Sequence, residues 1–127
     1  MIRVIAALLA LAAFCGNSCA CEGDVQVWSA RFIALKTLRG HFDGGPWLAE
    51  VDRFDGEKHR LMQCLSGEAV ARRVDAAQLL RWMGRPDGET PGHPSAWVYH
   101  WRGMHDQLAF TLRDGRVMRA DWRLALE

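Results

Sequence analysis

The sequence lacks most of what would announce a function. Its 16 basic and 15 acidic side chains nearly cancel and are well mixed. There is therefore no basic stripe of the kind that releases counterions from nucleic-acid phosphates, and no nucleic-acid partner is expected. No repeat, low-complexity tract or long linker interrupts the 127 residues, which excludes a repeat array and a multidomain enzyme. A glycine-rich phosphate loop, a Gly-x-Ser-x-Gly elbow and a His-Glu-x-x-His helix are all missing. The apolar run Val4–Phe14 would rise only about 16 Å as a helix, too short for roughly 30 Å of hydrocarbon. What remains is globular: half the residues are hydrophobic and six are tryptophan, a composition that excludes disorder over most of the chain.

The N-terminus reads as an address. Arg3 precedes the apolar run, and small residues follow it, which is the pattern of a secretory signal peptide. Ser18-Cys19-Ala20 permits cleavage before Cys21, and Gly16-Asn17-Ser18 equally permits it before Cys19. The expected organisation is a signal over residues 1–20 with cleavage near 18–20, then one domain over 21–127. Removing 1–20 deletes Arg3 and leaves 15 basic against 15 acidic residues, so steering by net charge is not expected.

Cys15, Cys19 and Cys21 crowd the cleavage region, and Cys64 stands alone. That crowding is similar to the end of a bacterial lipoprotein signal, with Cys19 the preferred lipidation site. Each buried methylene of such an anchor contributes about 0.8 kcal/mol of membrane affinity. Whether Cys19 is acylated or cleavage falls before Cys21, the same two cysteines remain, and cysteines of exported proteins pair. A Cys21–Cys64 disulfide is therefore expected, the alternative being a free buried thiol at Cys64.

The mature chain reads as helices followed by a sheet. Ser29 is placed to cap a helix bearing Phe32, Leu35 and Leu38. Asp55 is placed to cap a second, with Leu61, Met62 and Leu65, that stops at Gly67; the helical part thus covers 25–67. Asp52, Asp55 and Glu57 do not keep the alternate-residue spacing of a calcium loop. Asp75-Ala76-Ala77-Gln78 matches a capping box, and Gly84 with Pro86 ends that helix. Gly88–Pro94 reads as a loop. Strands follow over Ala96–Arg102, Gln107–Arg113 and Arg116–Leu124, the last two joined by Asp114-Gly115, a strong hairpin signal. Met118, Ala120, Trp122 and Leu124 alternate onto one face of the third strand. The expected class is α+β, with helices packed on one face of a three-stranded antiparallel meander, and the helix plus sheet spans 73–125.

The run Leu79-Leu80-Arg81-Trp82-Met83-Gly84-Arg85-Pro86-Asp87, then Trp97-Val98-Tyr99, then Leu108–Leu112 leading to Asp114-Gly115-Arg116-Val117, resembles the SmpA/OmlA lipoproteins. This is the family of the BamE subunit of the outer-membrane β-barrel assembly machine. Arg73-Val74-Asp75 stand where that family has glycine, a hydrophobic residue and threonine, and Asp75 caps as threonine does. The resemblance covers roughly residues 73–122. It implies a non-enzymatic, envelope-facing binding module, at the periplasm or the periplasmic face of the outer membrane, whose partner is another envelope protein, with the components of the assembly machine among the candidates. A similar αβ layout serves protein inhibitors of β-lactamase, so a soluble periplasmic ligand-binding or inhibitor-like module is the second expectation.

Catalytic chemistry is not expected, and neither is a cofactor. His41, His59, His93, His100 and His105 fall in different elements at spacings that do not suit a metal. The aromatic strand leaves two alternatives. Trp97, Tyr99 and Trp101 either pack beneath the helices, or stand on the open face with Arg119 and Arg123 as a docking surface.

Overall fold

The computed structural model describes residues 21–90 and 93–125. The expected signal segment and the lipidation candidate Cys19 lie outside these residues. Helix α1 spans Val25–Lys36 and is capped by Asp24, whose carboxylate accepts from the Val27 amide at 3.0 Å. A single 3-10 turn, His41–Asp43, and a one-turn helix α2, Ala49–Asp52, lead to α3, Glu57–Ala71, and α4, Ala76–Met83. Four strands complete the chain: β1 Gly88–Thr90, β2 His93–Arg102, β3 Asp106–Arg113 and β4 Arg116–Arg123. They pair antiparallel in the order β1-β2-β3-β4. The class is α+β, with helices packed on one face of a meander. The three expected strands are present, and β1 adds a short edge.

The helix ends differ from expectation where long-range contacts intervene. Ser29 caps nothing; it is buried in α1, and its hydroxyl donates to the Trp82 carbonyl at 2.6 Å, tying α1 to the end of α4. Asp55 is not a cap either. It has φ +55°, and its amide donates to Nδ1 of His59 at 3.0 Å, while α3 begins after Gly56. Gly67 does not stop α3, because Met62, Leu65 and Ala69 carry one buried stripe past it. The Asp75 cap forms, accepting from the Gln78 amide at 2.8 Å. Its reciprocal half does not: the Gln78 side chain accepts from Arg81 instead. Gly84 ends α4 at φ +73°.

Segment 88–94 is not wholly loop. Gly88 and Glu89 pair with Val98 and Trp97, and Asp87 fixes the approach by donating its amide to the Val98 carbonyl at 2.8 Å. The β3–β4 turn takes positive φ at both Asp114 and Gly115, the conformation that matches strand twist. Beyond it lies a β-bulge. Thr111 faces Arg119 but Leu112 faces Val117, so Met118 is the extra residue. Val117 is consequently buried, and Met118 is exposed rather than sharing a face with Ala120 and Trp122.

One core joins all layers: Trp28 and Phe32 of α1, Met62 and Leu65 of α3, Leu79 and Trp82 of α4, and Tyr99, Trp101, Leu108 and Phe110 of the sheet. Among the described residues no helix is long and apolar enough to cross a membrane. Cys21 and Cys64 form a disulfide with Cα atoms 5.5 Å apart, closing 43 residues of chain and fastening the lead into α1 onto α3. A loop of that length restricts the unfolded chain by about 4 kcal/mol in the chain-entropy estimate. Reduction is expected to remove roughly 2–4 kcal/mol of stability, read as a lower urea midpoint with dithiothreitol than without it, the slope rising as the unfolded chain is released.

Candidate functional site

The candidate surface is built where the loop 39–48 meets the β2–β3 turn. Its keystone is Asp52, fully buried at the end of α2. Oδ2 of Asp52 accepts from the backbone amides of His41 at 3.0 Å and Leu48 at 2.8 Å, closing the loop between them. Gly40 is required here, since a Cβ would lie 2.4 Å from Oδ1 of Asp52. Oδ2 of Asp52 thus holds backbone; among the described residues no group of three His, Cys, Asp or Glu side chains is arranged for a metal.

The sheet end is clamped to the same stretch. The Trp101 indole donates to the Val51 carbonyl at 2.8 Å, and Arg102 donates to the Asp52 carbonyl and to the Asp106 carboxylate, each at 2.7 Å. Asp106 also accepts from the Ala125 amide at 2.8 Å. Arg102 lies 4.1 Å from the Trp101 ring centroid and 4.5 Å from that of Phe42, a cation held by two aromatic faces and one carboxylate. Trp101 stacks on His59, with centroids 3.9 Å apart and planes 10° from parallel. Gly103, at φ +58°, lets the turn pass so close to Phe42 that a Cβ would come within 3.1 Å.

This clamp leaves an aromatic rim facing solvent. Phe42, Trp47 and Met104 are 49%, 54% and 61% exposed. Phe42 and Trp47 have ring centroids 6.4 Å apart, with His41 against both. Behind the rim a cavity of about 160 Å³ is lined by Phe42, Arg102, Gly103, His105, Asp106 and Ala125.

On the other side of Gly103 lies a more polar pocket of about 150 Å³, where Lys36, Lys58, Asp43, Asp87 and His100 meet. Burial pushes both lysines below their ordinary value, and Asp87 partly restores each. Lys36 spends its hydrogens on the carbonyls of Met83, at 3.1 Å, and Arg85, at 2.7 Å. Asp87 accepts from the His100 amide at 2.8 Å. Tyr99 donates to the Gly84 carbonyl at 2.8 Å, and burial, aided by Asp87, raises its pKa so that the phenol stays neutral.

Of the two alternatives for the aromatic strand, the docking surface is not assembled and the core packing is. Tyr99 and Trp101 are fully buried beneath the helices, and Trp97 packs against the same core. Arg119 pairs in register with Thr111 and Arg123 with Gln107, on the face away from those rings. Arg119 is ion-paired to Asp121 at 2.7 Å. The core alternative holds because Trp97 stands opposite Phe110 and Tyr99 opposite Leu108 on one face of the sheet, and Trp101 enters the same core. The expected pair Cys21 and Cys64 is brought together. His100 and His105 do not converge; each lines a different pocket. The rim and the lysine pocket are not legible in the sequence, since their residues come from five separate segments. A weak signal existed in the unexplained aromatics beside Asp43-Gly44-Gly45-Pro46.

Two outcomes test this geometry. Asp52→Ala strands two amides and is expected to cost about 3 kcal/mol, whereas Asp52→Asn, which keeps an oxygen at the accepting position, costs about 1 kcal/mol or less; denaturant melts measure both. His59 is 3% exposed, and burial pushes its pKa below the ordinary 6.5 despite Asp55 nearby. As pH falls through 6.5 the unfolded chain takes the proton first. Stability present above that value is therefore lost on acidification toward the folded pKa. Melting temperatures at pH 7.5 and about 5.5 are expected to differ less in His59→Asn than in the parent. No family model, no curated protein and no solved structure matches the chain.

Proposed function

We propose that the chain is an exported, disulfide-bonded module of the cell envelope that acts by docking on another protein, without catalysis. The observation that carries this reading is the rim of Phe42, Trp47 and Met104. It places large apolar side chains in water on backbone fixed by buried hydrogen bonds. Solvent-facing aromatics on a rigid loop offer contact area at low entropic cost, as in the buried anchors of interfaces. Export is supported by the signal-like N-terminus and by a structural disulfide, which persists in oxidising compartments. The partner class follows the resemblance: an envelope protein, with the outer-membrane assembly machine the leading candidate and a lipid on Cys19 the anchor. A second reading, a periplasmic small-ligand module, is favoured by the polar pocket around Lys58.

A photo-crosslinking residue at position 47, in the full chain expressed in a Gram-negative envelope, tests the docking reading. The expected result is one discrete adduct containing an outer-membrane assembly component, absent when the residue is placed at Arg113 on the far hairpin. Adducts of equal yield from both positions, or adducts lacking assembly components, overturn it.

A further inference from the structure

Cations are used unevenly along this chain. Of its 16 basic residues only Lys36 and Lys58 are lysines, and the other 14 are arginines. Both lysines line the same pocket. An arginine stays charged and serves as well as lysine, or better, for binding anions. What lysine alone supplies is an amine that sheds its proton when buried and becomes a nucleophile.

The two amines are held differently. Lys36 is committed to the Met83 and Arg85 carbonyls and lies 5.1 Å from the Tyr99 ring centroid, contacts that favour its charged form. Lys58, on the first turn of α3, is only 6% exposed, yet it makes no hydrogen bond or ion pair with the described residues. The charges around it are Asp87, Asp43 and Asp52 on one side of the balance and Lys36 on the other, and desolvation outweighs them. Asp43 and Asp87 each spend one carboxylate oxygen on a backbone amide, that of Gly103 at 3.3 Å and that of His100 at 2.8 Å. Their remaining lone pairs are acceptors for a ligand's hydroxyl groups. A carboxylate or phosphate ligand would face these same two aspartates, so a neutral ligand suits the pocket. A volume of about 150 Å³ is that of about five waters, or a molecule of two to four carbons.

We infer that this pocket captures a small hydroxylated aldehyde or ketone as a reversible imine on Lys58, with Asp43 and Asp87 receiving its hydroxyl groups. The Lys58 lone pair forms the C–N bond while the carbonyl π pair moves to oxygen. The Asp87 carboxylate carries two protons from nitrogen to oxygen in turn: the first converts the alkoxide to a hydroxyl, and the second leaves with that hydroxyl as water while the C–O bond breaks and the nitrogen lone pair forms the C=N bond. Amine and carbonyl thus give imine and one water, with no change of oxidation state. The inference develops the small-ligand reading and is separable from protein docking, which uses the rim on the other side of Gly103.

The test is reductive trapping on the intact, disulfide-bonded protein. Glycolaldehyde is the probe, and cyanoborohydride delivers hydride to the imine carbon to leave a stable secondary amine. Peptide mapping then compares Lys58 with Lys36 and the terminal amine in the same sample. The expected result is labelling at Lys58 about tenfold faster than at Lys36, whose amine must first give up its hydrogen bonds to the Met83 and Arg85 carbonyls. Propanal, which lacks the hydroxyl, is expected to label Lys58 more slowly than glycolaldehyde does. Lys58→Arg, checked for its disulfide and its circular dichroism, is expected to lose that adduct while position 47 still crosslinks. Labelling of Lys58 no faster than of Lys36, which needs no variant to observe, overturns the inference.

Discussion

One oxygen of Asp52 joins the two ends of an eight-residue loop. By accepting from His41 and Leu48 at once, it fixes where the loop leaves α1 and where it re-enters α2. The turn at His41–Asp43 can then lie against Gly103, which in turn sets the wall between the two pockets. Hydrogen bonds to a carboxylate in a site removed from water are stronger than neutral ones, and their loss leaves buried donors unpaired. The aromatic rim and the lysine pocket are therefore both consequences of where this carboxylate sits.

Around that constraint the polar and aromatic contacts reinforce each other. Trp101 is at once a core ring, a donor to Val51, a platform for Arg102 and a partner for the His59 ring. Trp122 meets His59 edge-on at 4.9 Å, so β4 reads the same cluster from the other side. The disulfide fastens the lead into α1 onto α3, and Ser29 ties α1 to the end of α4. The helical layer above the sheet is thereby held at both ends. Lys36 and Lys58 project from α1 and α3 into the pocket between that layer and the sheet end.

Short-range chemistry was legible in the sequence. The Asp75 cap, the Gly84 stop and the Asp114-Gly115 turn each depend on a few neighbouring residues, and all three form. The parity of Trp97, Tyr99 and Trp101 was equally readable, and burial of large rings beneath the helices follows from it. What could not be read depends on partners far along the chain. Ser29 looked like a cap until Trp82, 53 residues away, supplied its acceptor. Asp55 looked like a cap until His59 took its amide. The bulge at Met118 has no local signature, because a two-residue alternation continues through it while the register shifts. The candidate site was the least legible of all, since Asp52 gains its meaning only when His41, Leu48, Arg102 and Trp101 are brought around it.

If the loop is fixed in the free protein, the rim and the pocket exist before any partner arrives. Residue-resolved amide hydrogen exchange measures that most directly. The amides of His41 and Leu48 are predicted to exchange slowly, near the rate set by global unfolding. Those of Phe42 and Trp47, for which no backbone acceptor is present among the described residues, exchange fast. Exchange at His41 and Leu48 as rapid as at Phe42 and Trp47 would contradict the account.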